Sequence, residues 1–443
     1  MTPFPRALAP SALVLSALVL LAGCGEEAPA PKPLRVGDLA IEAWPLPAMP
    51  GSAQPDLVAA PDGRLLLSWL NVQAGRRPAL QMAERFADGH WEGPRTIAVG
   101  NAMFVNWADT PHLMVTGDRA LWAHWLQKSA AAPYAYDVML VRSMDHGMNW
   151  SAPVRVHDDD SATEHGFVSF WPQGEDRLGV AWLDGRRTGG EAKADAGGDH
   201  AGHVADAGGG PMTLRAAVFD GNLRASQAVE IDARTCDCCQ TAAAATADGA
   251  LLVYRDRSDD EIRDIYATRF DGKTWSTPAA VHADGWKMPG CPVNGPSVAA
   301  RGADAVVAWF TMADTGAGDA PAVQLARSTD GGARFSAPVV VDRGASVLGR
   351  VAVAIDAGQV WLLWLREDAG KQSLWLARYA PDLSKELQRT KLADLHGAGH
   401  ATGFPRIALG ADAAYVVWTE VVDGAPQLNG ARIALAAAPA PRS

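Results

Sequence analysis

The chain is short of positive charge, of tyrosine and of long apolar runs, and each shortage removes a class of explanation. Lysine and arginine total 39 against 50 acidic residues, a formal charge of -11, so the surface gives no electrostatic footing for a nucleic acid. The apolar run at residues 13–21 is too short to span a bilayer as a stable helix, and it ends in small residues at a cleavable site. It reads as a signal peptide. Cysteine is sparse, with five residues, and tyrosine occurs only 6 times against 16 tryptophans. The spacing of those tryptophans organises the rest of the chain.

A short apolar strand ending in an aromatic recurs seven times, at Trp69, Trp125, Trp182, Tyr254, Trp309, Trp364 and Trp418. The intervals are 56, 57, 72, 55, 55 and 54 residues, so one repeat carries an insertion. Each copy follows another short strand and a tight turn such as Asp62-Gly63, Gly117-Asp118 or Asp248-Gly249, where glycine supplies positive φ and aspartate bonds its own backbone. A third strand comes next, and in most repeats a fourth opens with an aromatic: Trp91, Trp150, Trp275 or Phe335. Four antiparallel strands at this period predict an all-β fold, a β-propeller of seven four-stranded blades, or six if one repeat packs differently. The seventh repeat runs out after its third strand. Residues 34–44, strand-like and otherwise unassigned, are expected to supply the fourth and close the ring. The long interval places a Gly-, Ala- and Asp-rich insertion with His200 and His203 at 188–210, read as a mobile solvated loop.

Two local motifs carry family resemblances. Leu21-Ala22-Gly23-Cys24 resembles the lipobox of bacterial lipoproteins, which implies that residues 1–24 are a lipoprotein signal peptide and that Cys24 is acylated. Residues 25–33 then form a flexible tether, 34–437 the propeller and 438–443 a disordered tail. The resemblance implies a cell-envelope protein that touches the membrane through its lipid alone, and Gly25 after the cysteine favours the outer membrane. Residues 143–150 and 328–335 both fit S-x-D-x-G-x-x-[WF], with degenerate copies at 86–91 and 270–275. This looks like the Asp-box of the sialidase and BNR-repeat superfamily. The motif is a turn device, and in that family it lies opposite the active site.

Function is therefore expected on the other face, formed by the connections between blades and between second and third strands. Sialidases clamp a substrate carboxylate with three arginines, and Arg255, Arg350 and Arg406 are spread around the ring in a way that suits such a clamp. The resemblance implies an acid, for which Asp109 and Asp184 are the candidates. Trp107, Arg186, Asp256, Trp286 and Asn294 are candidate ligand-binding residues on the same face. The family's Phe-Arg-Ile-Pro motif is absent, Gly403-Phe404-Pro405-Arg406 is a scrambled echo of it, and no tyrosine stands in an obvious nucleophile position.

With Cys24 lipidated, four cysteines remain: Cys236, Cys238 and Cys239 entering blade 4, and Cys291 entering blade 5. An oxidising compartment favours two disulfides, one reaching from the triplet to Cys291. The remaining local pair would, as Cys238 and Cys239, need a strained vicinal ring. The alternative is a thiolate site for Cu(I) or Zn, with His165, His396 or His400 nearby, and otherwise no cofactor is expected. Two functions remain open: a propeller that binds or cleaves a glycan or other anionic small molecule, and a non-catalytic scaffold that docks an envelope protein.

Overall fold

The computed structural model describes residues 34–189, 209–314, 316 and 318–435. The signal peptide, Cys24, the tether, most of the insertion with His200 and His203, and the tail lie outside the described residues. Among those described, every regular element is a β-strand.

The strands assemble into seven antiparallel sheets, one per repeat, and the chain is a seven-bladed β-propeller. Blades 1 to 6 cover residues 52–99, 113–155, 165–232, 242–280, 297–343 and 347–394, with strands paired in sequence order. Blade 7 combines Gly403–Leu409, Ala414–Val422 and Ala425–Leu435 with the N-terminal strand Leu39–Ala43, whose partners run from Leu39 and Leu435 to Ala43 and Ala431. Ring closure by the N-terminal segment is therefore as expected. One detail differs: a turn at Gly37, with φ of 59°, folds Leu34–Val36 back as a fifth, outermost strand.

Second strands are apolar on both sides because each blade is pressed between two neighbours. In Val360–Asp368, for example, the first six residues are buried, and in Gly249–Arg255 all but the first are. The core accordingly lies in seven layers between successive blades, including one between blades 7 and 1 that packs Trp69 and Leu67 on Tyr415 and Val417. Fourth strands face solvent, and those of blades 2 and 4 shrink to Val154–Arg155 and Ala279–Ala280. Pro153 and Pro278 precede them, and a residue without an N–H cannot extend the ladder. Trp150 and Trp275 consequently sit in the preceding turns rather than opening the strand.

The seven repeat aromatics are buried, and six have a polar partner. The indole N–H groups of Trp182, Trp309, Trp364 and Trp418 donate to Asp184, Asp284, Asp342 and Glu420 at 2.7–2.8 Å, Trp69 donates to Gln81 at 3.2 Å, and the Tyr254 hydroxyl donates to Asp232 at 2.5 Å. A large ring thus packs between blades while its polar tip is satisfied at the end of the strand. On the opposite face the two S-x-D-x-G turns repeat one bonding pattern. Ser143 donates to Asp145 and accepts from the Gly147 amide, and Ser328, Asp330 and Gly332 do the same.

Candidate functional site

The long-loop mouth is built by a device repeated in the innermost strands. In blades 1, 3, 6 and 7 this strand opens with a register shift, between Ala53 and Asp56, Gly166 and Ser169, Gly349 and Ala352, and Gly403 and Arg406. Each bulge holds a residue at positive φ: Gln54, Phe167, Arg350 and Phe404. A bulge re-aims its side chain and ends regular pairing. At the mouth it brings together side chains that the sequence keeps far apart.

Arg350 lies over the rings of Phe404 and Trp107, at 4.6 and 5.6 Å, and Trp107 packs against His400 at 4.8 Å. Trp107 enters blade 2, whereas Arg350 belongs to blade 6 and Phe404 to blade 7. The carbonyl of the next residue, Ala108, accepts from Gln240 of blade 4 at 2.6 Å. This loop therefore reaches partners from well-separated blades. Arg350 donates through Nη1 to the carbonyls of Thr402, at 2.5 Å, and Gly399. Burial, only partly offset by the Glu367 charge, pulls its guanidinium down to about 10. It is a partly buried cation that, among the described residues, has no carboxylate hydrogen-bonded to it.

The other two arginines of the expected clamp are engaged differently. Arg255 is 1% exposed and donates to the carbonyls of Asn294, Arg263 and Phe310 while stacking on Trp286. It braces blade 4 against blade 5 and does not share the environment of Arg350. Arg406 donates to the Pro55 carbonyl at 3.3 Å and lies 3.6 Å from Asp56, which also accepts from the Leu113 amide. Burial opposes ionisation of Asp56, but His112, Arg406 and that amide hold it down at about 2.

Asp109 meets two residues that the sequence did not single out as its partners. Its Oδ2 accepts from the Phe167 amide at 2.8 Å and lies 3.4 Å from the Tyr136 hydroxyl, which in turn donates to Glu164 at 2.6 Å. Gly166 makes this approach possible, since a Cβ there would stand 2.0 Å from the carboxylate. Burial pushes Asp109 up to about 8, with the Glu164 charge adding to it against the pull of the Phe167 amide. Glu164 also rises to about 8, chiefly through burial and also through Asp237, while Tyr136 opposes. Near neutral pH these are two protonatable carboxyls joined through a phenol.

Most of the remaining candidates are engaged by contacts within the scaffold. Asp184 is buried and accepts from Trp182 and from Arg186, at 2.7 Å, and Arg186 also reaches Asp158. Asn294 spends its side chain on the Arg350 amide and the Leu348 carbonyl, bracing blade 5 to blade 6. Trp286 is 7% exposed and packs on Phe310. Asp256 rises to about 7 through burial and the neighbouring Asp232.

Cys238 and Cys291 form the disulfide expected between neighbouring loops, with Cα atoms 6.1 Å apart. Because Cys238 makes that bridge, the leftover pair is Cys236 and Cys239, not vicinal residues. Both are buried, with sulfurs 2.7 Å apart. Burial works against ionising Cys239, but its bond with Cys236, the Arg255 charge, the Asn294 amide and Arg263 bring it down to about 7. The sulfurs of Cys236, Cys238 and Cys239 lie within 4.8 Å of one another. With Cys238 oxidised only two can be thiolate ligands, so a Cu(I) or Zn site of three sulfurs requires reduction of the bridge.

Fold and mouth together define a seven-bladed propeller with a loop laid across one face. No protein-family profile matches the chain, and no curated protein matches its sequence. Solved structures do match the fold. The BP39L lectin from Burkholderia pseudomallei aligns at 15% identity with a TM-score of 0.51, covering 86% of this chain and 99% of the lectin. The NanB sialidase from Streptococcus pneumoniae aligns at 10% identity and 0.43, over 86% and 68% of the two chains. An α-L-arabinanase from Penicillium chrysogenum gives 12% and 0.44, over 87% and 94%. At these identities the likeness is one of fold.

Proposed function

We propose that this chain is a lipid-anchored envelope propeller whose long-loop mouth binds an anionic glycan. One observation carries the reading: Arg350 is a partly buried guanidinium over two aromatic rings, with backbone carbonyls but, among the described residues, no carboxylate as hydrogen-bond partner. A cation in that state gains most from an incoming carboxylate or sulfate, which it grips in a planar fork. Trp107 and Phe404 offer half-buried faces on which the apolar side of a sugar ring can stack. The fold is one that a lectin also uses. Cys24 supports anchoring at the outer membrane through its lipobox-like context.

The test is binding to a panel of oligosaccharides bearing sialic or uronic acids, beside neutral counterparts. Acidic glycans should be retained, and Arg350→Met or Trp107→Ala should weaken them about tenfold or more. Equal retention of neutral glycans, or unchanged affinity in Arg350→Met, would refute the reading in favour of a protein-docking scaffold.

Hydrolysis is a second reading, favoured by the Asp109, Tyr136 and Glu164 cluster. A phenol held between two carboxyls raised to about 8 is a set able to supply a nucleophile and an acid, and a base once Glu164 gives up its proton. All three side chains are buried, so binding ranks first. Turnover of fluorogenic glycosides that disappears in Tyr136→Phe would establish hydrolysis, and inactivity across the panel would leave binding alone.

A further inference from the structure

The junction of blades 2 and 3 holds a second polar group that the glycan reading does not use. His157 and His165 are 4% and 0% exposed, with rings stacked at 3.7 Å. One residue orients both. Asp159 accepts from His165 Nε2 through its carboxylate at 2.9 Å and from His157 Nδ1 through its backbone carbonyl at 3.1 Å. An imidazole that donates from one nitrogen presents a bare lone pair on the other. Those second nitrogens, His157 Nε2 and His165 Nδ1, are buried and make no hydrogen bond among the described residues. Two orphaned acceptors in one buried pocket call for a shared partner.

Asp137 supplies a third donor atom. Its Oδ1 lies 3.4 Å from His157 Nε2, and ligand atoms of Asp137, His157 and His165 all fall within 4.8 Å of one another. We propose that these three residues bind a first-row divalent cation, Zn2+ by preference, that fastens blade 2 to blade 3. Two imidazoles and a carboxylate are a borderline donor set suited to that ion. A carboxylate or carbonyl behind each ligating ring is the arrangement that fixes tautomer and aim in such sites. The nearby set of Asp159, His165 and Asp184 has its carboxylates committed, to Ser161 and His165 in one case and to Trp182 and Arg186 in the other. It orients rather than ligates. Arg155 and Arg186 pack against the site, but their guanidinium groups are bonded to the His157 carbonyl and Asp160, and to Asp158 and Asp184.

The place in the fold gives the ion a consequence. Asp137 follows Tyr136 and His165 follows Glu164, and Tyr136 and Glu164 form a parallel bridge between the two blades. Successive side chains leave a strand on opposite sides. The ion would therefore clamp the far side of the junction that holds the phenol on its carboxylate.

The experiment adds Co2+ or Zn2+ to the purified full chain, with its cysteines in place. One equivalent of Co2+ should bind with ligand-field bands of low coordination and no sulfur-to-cobalt charge-transfer band, and Zn2+ should raise the melting temperature. His157→Gln and His165→Gln should abolish binding. Asp137→Asn, at a partly exposed position that survives where the histidine variants fail to fold, should weaken it about tenfold or more. Failure to retain either metal after dialysis, a charge-transfer band that places the ion on the cysteines, or unchanged affinity in Asp137→Asn would each overturn the proposal.

Discussion

Replacing Glu164 by glutamine should make the fold more tolerant of alkali. The carboxyl is held at about 8 against an ordinary 4.5, chiefly by burial and then by Asp237, with the Tyr136 hydrogen bond pulling the other way. Below the ordinary value both folded and unfolded chains keep the proton, and the shift costs nothing. Above it the unfolded chain releases the proton while the folded chain holds it, so stability falls as pH rises, by about 1.4 kcal/mol per unit, until the folded carboxyl itself ionises near 8. From about pH 5 to about pH 8 the loss from Glu164 alone is about 3.5 kcal/mol. Asp109, also raised to about 8, adds in the same direction.

Glutamine keeps the shape and an oxygen for the Tyr136 hydroxyl while removing the ionisation. Urea unfolding followed by tryptophan fluorescence, at several pH values across this window, measures the difference. The wild-type chain should lose about 3.5 kcal/mol more than Glu164→Gln between the two ends. Parallel pH profiles for the two proteins would show that Glu164 ionises normally, and the argument from burial would fail.

Two further perturbations test the scaffold. Cys291→Ser opens a link between residues 53 apart in sequence, and loop-closure entropy puts its cost near 4 kcal/mol, read as a shift in urea midpoint under oxidising conditions. An unchanged midpoint would mean that the bridge does not form in the folded protein. Gly179→Ala would place a methyl group 1.8 Å from the ring of the fully buried Trp171, and the overpacking should cost about 3 kcal/mol or prevent folding. A stable variant would show that Trp171 packs elsewhere.

The ring was legible because its physics is local and repeated. A strand buried on both faces must be apolar throughout, so LLLSW, AVVAW and VWLLW stand out without any knowledge of their neighbours. A bridge from the cysteine triplet to Cys291 followed from the adjacency of two loops once blades were counted, but that Cys238 makes it did not. Roles within the mouth were not legible in the same way. Arg255 looks like a clamp in sequence, yet its carbonyl partners come from residues 263, 294 and 310, which only the folded chain assembles. Asp184 did leave a signal. Trp182-Leu183-Asp184 and Trp418-Thr419-Glu420 share a spacing in which the carboxylate caps the indole two residues before it, and that repetition marks Asp184 as part of the scaffold rather than as an acid.

Tyr136 was missed for a reason that bears on how the junction of blades 2 and 3 works. In sequence, Tyr136-Asp137 and Glu164-His165 are two polar pairs on different blades, with nothing to say that they meet. A strand period of two divides them. Tyr136 and Glu164 turn toward Asp109, where burial keeps protons on the two carboxyls. Asp137 and His165 turn toward His157, Asp159 and the arginines, where carboxylates and imidazoles face one another with lone pairs to spare. Two chemistries of opposite demand, one holding protons and one suited to a cation, thus share a backbone one peptide bond apart. A substitution on one side acts on the other only through that backbone, so Glu164→Gln and Asp137→Asn report on the two sites separately.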